Sequence, residues 1–163
     1  MSGELERAAA DALADRWRAA WQGKGFEACC TPDVSYEDPV AVNLLRGVEE
    51  LDAHALSLRH AFPDLRIEPT APPLMRGEHV CVPWRALGTH RGDIGHMLPA
   101  TDRFVSLHGL HYLELTDGAV RRARGFFDLY EAATQLGLLP SRGTLGETAL
   151  LLLRGFGLRR GAT

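Results

Sequence analysis

Apolar residues recur at every fourth position through Leu5, Ala9, Leu13, Trp17 and Trp21, a stripe that predicts an amphipathic helix over residues 4–22. Gly23 and Gly25 break it, residues 26–30 could add one more turn, and Pro32 stops the run. A second stripe, Val48, Leu51, Ala55, Leu58 and Phe62, predicts a helix over residues 47–62 that Pro63 closes. Between the two, Val34 and Tyr36 alternate with polar neighbours as in a short strand, ended by Pro39 because proline cannot donate to a ladder.

Beyond Pro63 the period changes from four to two. Residues 65–68 are a short strand-like run, and the proline-rich residues 69–73 read as an extended connector. Residues 79–90 alternate with Val80, Val82, Trp84, Ala86, Gly88 and His90 on one side, and Pro83 places this strand at an edge or a bulge. A long loop over residues 92–101 leads to a strand at 103–115. Phe104, Ser106, His108, Leu110 and Tyr112 share one of its faces, and Val105, Leu107, Gly109, His111 and Leu113 the other. Asp117-Gly118 supplies the positive φ angles of a tight hairpin, so residues 120–129 must return antiparallel.

Pairing Thr116 with Ala119 sets Leu113 opposite Arg122, Gly109 opposite Phe126 and Asp128 opposite Leu107, which puts Asp128 on the face of His111. Arg122 and Arg124 then share that face, a conflict with an apolar interior that a bulge near Gly125 would relieve. Gly137 and Pro140 end a short helix after Asp128, and Leu150, Leu153 and Phe156 predict a terminal helix over residues 144–158. Helices first and a curved antiparallel sheet afterwards is the order of an α+β domain with its helices on one face. A bent sheet wrapped round a long helix forms a cone whose mouth suits an apolar ligand.

With 163 residues, 45% of them hydrophobic, the chain can enclose one core with room for an internal pocket. Eighteen basic and 21 acidic residues give a net charge of -3, with no basic run to serve as a nucleic-acid footprint. Cys29, Cys30 and Cys81 form neither a disulfide framework nor a zinc spacing, which fits a reducing cytoplasm. The first residues lack the apolar run of a signal peptide, and the apolar stretch at 149–153 is too short to cross a bilayer, so a soluble protein with no membrane partner is expected. No metal-ligand spacing, dinucleotide fingerprint, phosphate loop or nucleophile elbow is present, so no metal or cofactor is expected and acid/base chemistry remains.

The candidate for that chemistry is Asp128. It follows Phe126-Phe127 at a strand-to-helix junction, where aromatic neighbours would desolvate its charged form and poise it to exchange a proton near neutrality. A carboxylate at such a junction can also be a helix cap. Asp38, before Pro39, is a turn former that can also face a pocket. His111 and His90 are the candidate partner imidazoles. His108 and His111, three apart in one strand, cannot face the same side, so only one of them can look inward.

Asp33 through Pro39, Gly47 with its helix, Ala61-Phe62-Pro63-Asp64-Leu65, Trp84 through His90 with Gly92, Pro99-Ala100-Thr101, Asp117-Gly118, and Phe127-Asp128 through Leu138 together resemble the SnoaL-like polyketide cyclases. These belong to the nuclear-transport-factor-2-like (NTF2-like, cystatin-like) superfamily. The resemblance spans residues 12–140. It implies a cone-shaped α+β domain over residues 1–142, assembled as a homodimer or homotetramer; residues 143–163, outside the shared pattern, are expected as a C-terminal helical extension. It also implies cofactor-independent ring closure of an aromatic polyketide by intramolecular aldol condensation. Asp128 would be the general acid/base, and His111 or His90 would bond the oxygen where charge builds up. Tyr36, Asp38, Trp84, Phe104, His108 and Phe127 would hold a hydrophobic polycyclic substrate.

Relatives of this family are reported to assist hydroxylation or to open epoxides, and the architecture also serves as a non-catalytic carrier. An epoxide-opening site would require Asp38 and Arg124 to converge on Asp128. An exposed Asp128 that caps the following helix would favour the binding module.

Overall fold

The computed structural model describes residues 2–94 and 98–153. Helix α1, Ser2–Ala19, continues into a wider π turn at Ala20–Lys24, which ends where Gly23 takes φ +104°. A single 3-10 turn at Phe26–Ala28 follows. Strand β1 (Cys30–Glu37), the two-residue β2 (Leu45–Arg46) and helix α2 (Gly47–Ala61) complete the first half. The second half holds β3 (Arg66–Pro69), β4 (Leu74–Arg76), β5 (His79–Thr89), β6 (Phe104–Thr116) and β7 (Ala119–Phe127), then helices α3 (Leu129–Gln135) and α4 (Leu145–Leu153).

One curved open sheet runs in the order β2-β1-β7-β6-β5-β3, with β4 also pairing β5. All neighbours are antiparallel except β1 and β7, which are parallel and bring the N-terminal strand beside the hairpin. The stripe of α1 from Leu13 onward and the stripe of α2 face this sheet, while Leu5 and Ala9 are exposed. Leu13, Trp17, Trp21, Leu51 and Ala55 are buried with Phe26, Val34, Tyr36, Val80, Val82, Leu113 and Val120 in one apolar core. Among the described residues, no helix is long and apolar enough to cross a membrane.

Two prolines, Pro32 and Pro83, lie where the sequence pattern did not place them. Pro32 does not end a helical turn: it lies inside β1, where the ladder to β7 is interrupted between Cys30 and Ser35, so its missing N–H deprives nothing. Pro83 lies in an interior strand, not at an edge. On one side it pairs with Leu110 of β6; on the other, β3 ends opposite Trp84 and β4 begins opposite Cys81, so Pro83 falls in the gap between them. Strands β2 and β4 are too short to show a period, and neither was expected from sequence.

The hairpin at Asp117 (φ +51°) and Gly118 (φ +77°) pairs Thr116 with Ala119 as expected. The bulge, however, lies near the turn and not near Gly125. Leu115 pairs with Val120 and Glu114 with Arg122, leaving Arg121 as the extra residue. Every later position of β7 is thereby shifted by one, which exchanges its faces. Arg121, Arg122 and Arg124 are exposed, while Ala123 and Gly125 are buried. The arginine conflict disappears, and the expected alignment of Asp128 with His111 disappears with it.

Helix α4 buries no residue, and the part of the expected terminal helix from 154 to 158, with Phe156, lies outside the described residues.

Candidate active site

Bordering the core at Trp21 and Tyr36, strands β5, β6 and β7, helix α3 and residues of α2 and β3 enclose a cavity of about 240 Å³. Its wall is almost entirely apolar, with Phe62, Ile67, Trp84, Leu107, Phe127 and Leu136 among the residues that form it. Polar chemistry enters at one place, where Tyr36, Asp38 and His111 meet.

Strand β1 turns Tyr36 inward beside Ala123 of β7, and the chain leaves the strand so that Asp38 follows two residues later on the same side. Asp38 is a turn former as its sequence context indicated, because its Oδ1 accepts the amides of Val40 (2.8 Å) and Ala41 (2.7 Å). It also lines the cavity, so both readings hold. Its Oδ2 accepts the Tyr36 hydroxyl at 2.9 Å and lies 2.9 Å from Nε2 of His54, on α2. The side chain of Asp38 is 3% exposed. Burial pushes its pKa up, but the His54 bond and charge and the two backbone amides outweigh burial, and the net shift is downward. Asp38 is therefore a saturated, ionised anchor.

Tyr36 stands between that anchor and His111. Its hydroxyl is 3.4 Å from Nε2 of His111. Burial, reinforced by the charge and hydrogen bond of Asp38, raises the Tyr36 pKa well above its usual value, so the phenol stays protonated and donates to the carboxylate. The Tyr36 oxygen then accepts from Nε2–H of His111, a tautomer assigned from this network. Nδ1 of His111 has no hydrogen-bond partner among the described residues and is the lone pair free to act. The ring stacks on Trp21 (centroids 5.4 Å apart, planes at 8°) and leans on Trp84 (5.3 Å). Burial lowers its pKa to about 3, against a partial pull upward from the Asp38 charge, so it is neutral at physiological pH.

Gly125 makes this contact possible. It pairs with His111 across the β6–β7 ladder, and a Cβ there would meet the Tyr36 hydroxyl at 2.6 Å and Cβ of Asp38 at 3.0 Å. The missing side chain is the space through which Tyr36 reaches both partners.

The remaining candidates lie elsewhere. Asp128 sits at the expected junction, but its Oδ1 accepts the Glu131 amide at 3.0 Å, capping α3, and its side chain is 56% exposed. The shift at Arg121 turns Phe127 into the cavity and Asp128 out of it. Phe104 and His108 are exposed on the outer face of β6, because they occupy the even positions while Val105, Leu107 and His111 take the odd ones. His90 is fully buried but is not part of the cavity wall. Its ring packs 5.2 Å from that of Phe62, and its Nδ1 accepts the Thr101 amide at 3.2 Å, holding the end of the preceding loop. Arg124 bonds Glu37 at the surface, so Asp38, Arg124 and Asp128 do not converge. Of the candidates, Tyr36, Asp38, Trp84, His111 and Phe127 meet at the cavity.

Sequence reasoning missed His54, whose one signal is a histidine on the flank of the Leu51, Ala55, Leu58 stripe, and it read Trp21 only as core. Among the described residues, no three His, Cys, Asp or Glu side chains come together as a metal-ligand set.

The sequence model of the SnoaL-like polyketide cyclases matches residues 7–136. The chain belongs to the SnoaL-like polyketide cyclase family. Solved structures agree in fold. TsrD from Streptomyces laurentii is 24% identical, with a TM-score of 0.71 over 82% of this chain and 98% of TsrD. AclR from Streptomyces galilaeus, provisionally described as a hydroxylase, is 23% identical, with a TM-score of 0.67 over 93% of each chain. A protein from Catenulispora acidiphila with a ketosteroid isomerase-like fold, solved with trimethylamine, is 16% identical, with a TM-score of 0.63 over 77% of this chain and 92% of its own. No curated protein matches the chain. The family member described here thus has the NTF2-like cone with an added C-terminal helix.

Proposed function

We propose that this family member catalyses cofactor-independent proton transfer on an apolar polycyclic small molecule, closing a ring by intramolecular aldol condensation with His111 as the acid/base. The observation that carries this reading is the hydrogen-bonded series His111, Tyr36, Asp38, which ends in an imidazole lining an otherwise apolar cavity. Nδ1 of His111 removes a proton from a carbon between two carbonyls, and the resulting carbanion attacks a third carbonyl carbon of the same molecule. The alkoxide so formed takes the proton back from Nδ1, leaving His111 neutral. A weakly basic imidazole suits an acidic carbon, and its conjugate acid returns the proton readily. The Asp38 charge, relayed through Tyr36, stabilises the transient imidazolium.

Asp128 supports no part of this sequence, because its carboxylate is engaged as a cap outside the cavity. The test offers a linear aromatic polyketide methyl ester and follows the cyclised product by mass spectrometry. His111→Gln should lower kcat by about 10²–10⁴-fold, the usual share of a positioned acid/base, with the fold retained. Asp128→Asn should leave turnover intact; the reverse pattern would return the role to Asp128. The cap at Asp128 favours one second reading, a binding module. Tight binding of the ester with no product from the wild-type chain would establish it.

A further inference from the structure

Asp38 spends one oxygen entirely on its own turn, since Oδ1 takes the amides of Val40 and Ala41. Everything else it does must pass through Oδ2, and two groups on opposite sides share that atom: Tyr36 at 2.9 Å and His54 at 2.9 Å. Two donors to one oxygen compete for its lone-pair density, so strengthening one bond weakens the other. We propose that His54, which does not line the cavity, is the positioning residue for His111, setting the strength of the Tyr36–His111 contact through the oxygen it shares with Tyr36.

The inference rests on His111 as the acid/base and adds what controls it. When His54 carries two protons, its bond to Oδ2 is charge-assisted, roughly twice as strong as a neutral one, and its charge offsets that of the carboxylate. Tyr36 is then held less tightly, and its oxygen is a poorer acceptor for Nε2–H of His111. When His54 is neutral, the full carboxylate charge polarises the Tyr36 hydroxyl, and the far nitrogen of His111 becomes the stronger base. The state of His54 is thus felt two hydrogen bonds away.

Placement fits this role. The His54 side chain is 12% exposed against 3% for Asp38, so it can exchange protons with water while a ligand fills the cavity. Leu51 and Ala55 bury the face of α2 on which it borders, and the rings of Trp21 and Tyr36, each 6.0 Å away, confine the imidazole. The ionisable groups facing it are Asp38 from the loop after β1 and Tyr36 from β1, with His111 of β6 beyond Tyr36. On its own helix, Glu50 accepts the Arg46 amide, Asp52 accepts the Phe26 amide, and Arg59 donates to the Trp21 carbonyl.

The experiment uses the full chain labelled with 15N-histidine and follows the ring N–H and nitrogen signals of His111 against pH. In the wild type these signals should move with pH. In His54→Gln, which keeps an N–H donor but has no proton to gain, they should stay fixed. A His111 signal that moves equally in His54→Gln, or that does not move in the wild type, would overturn the proposal.

Kinetics give the second arm. The wild-type kcat should fall on the acid side, and neither His54→Gln nor His54→Leu should show that limb, with KM unchanged in both. A merely structural anchor would instead leave the limb in place for His54→Gln. The NMR arm needs no turnover, so failure of the coupling is distinguishable from failure of His111→Gln to affect ring closure.

Discussion

Two aspartates leave the ends of neighbouring parallel strands, Asp38 after β1 and Asp128 after β7, and they have opposite fates. Asp128 accepts one backbone amide and faces water. Asp38 accepts two amides, a phenol and an imidazole, and is enclosed. Both use backbone amides in the same way, as caps of the turn that follows. What separates them is the face on which the strand releases them. Strand β1 delivers Asp38 to the side of inward-facing Tyr36, while the extra residue Arg121 leaves inward-facing Phe127 as the last cavity residue of β7 and turns Asp128 away. A carboxylate next to aromatics in sequence is therefore not yet a carboxylate among aromatics in space.

The contrast can be broken most severely at Asp38. Asp38→Asn should destabilise the fold by about 3–5 kcal/mol, because Tyr36 and His54 lose the charge that both address while remaining buried. Denaturant unfolding measures this, and a cost near that of Asp128→Asn would erase the distinction. Acid should act in the same direction. The His111 pKa is lowered in the folded state, from 6.5 to about 3, so between those values the unfolded chain binds the extra proton. Its contribution is complete above pH 6.5 and is lost at about 1.4 kcal/mol per pH unit as pH falls towards 3. The depressed pKa of Asp38 removes further stability as pH falls through its folded value. Unfolding free energy measured from pH 7 to 4 should show the slope, and His111→Gln should flatten it.

A smaller and more local effect is expected at Gly125. Gly125→Ala places a methyl 2.6 Å from the Tyr36 hydroxyl and should cost about 1–3 kcal/mol in denaturant unfolding while detaching Tyr36 from Asp38. Retained stability would mean that Tyr36 can give way. The smallest effect belongs to the other aspartate. Asp128→Ala should cost about 1 kcal/mol, the value of one helix N-cap, read as a drop in Tm with turnover unchanged.

Much of the molecule was legible in its sequence. Periodicity alone places α1, α2 and the three long strands, because burial of a face repeats at the period of the backbone that presents it. Asp117-Gly118 fixes the hairpin, since positive φ at two successive positions selects those residues. The inward face of β6, and with it the choice of His111 over His108, also follows from alternation. What the sequence did not carry is the position of one extra residue in β7. A ladder without a bulge and one with a bulge at Arg121 leave almost the same local pattern, yet they send Asp128 to opposite sides. Nor could a lone histidine on the edge of a helical stripe announce that it meets Asp38 from sixteen residues away. Local preferences repeat along the chain and can be read there. The register between strands, and the meeting of α2 with the turn after β1, depend on which surfaces the whole fold buries together, so the tertiary structure alone decided which carboxylate stands in the cavity.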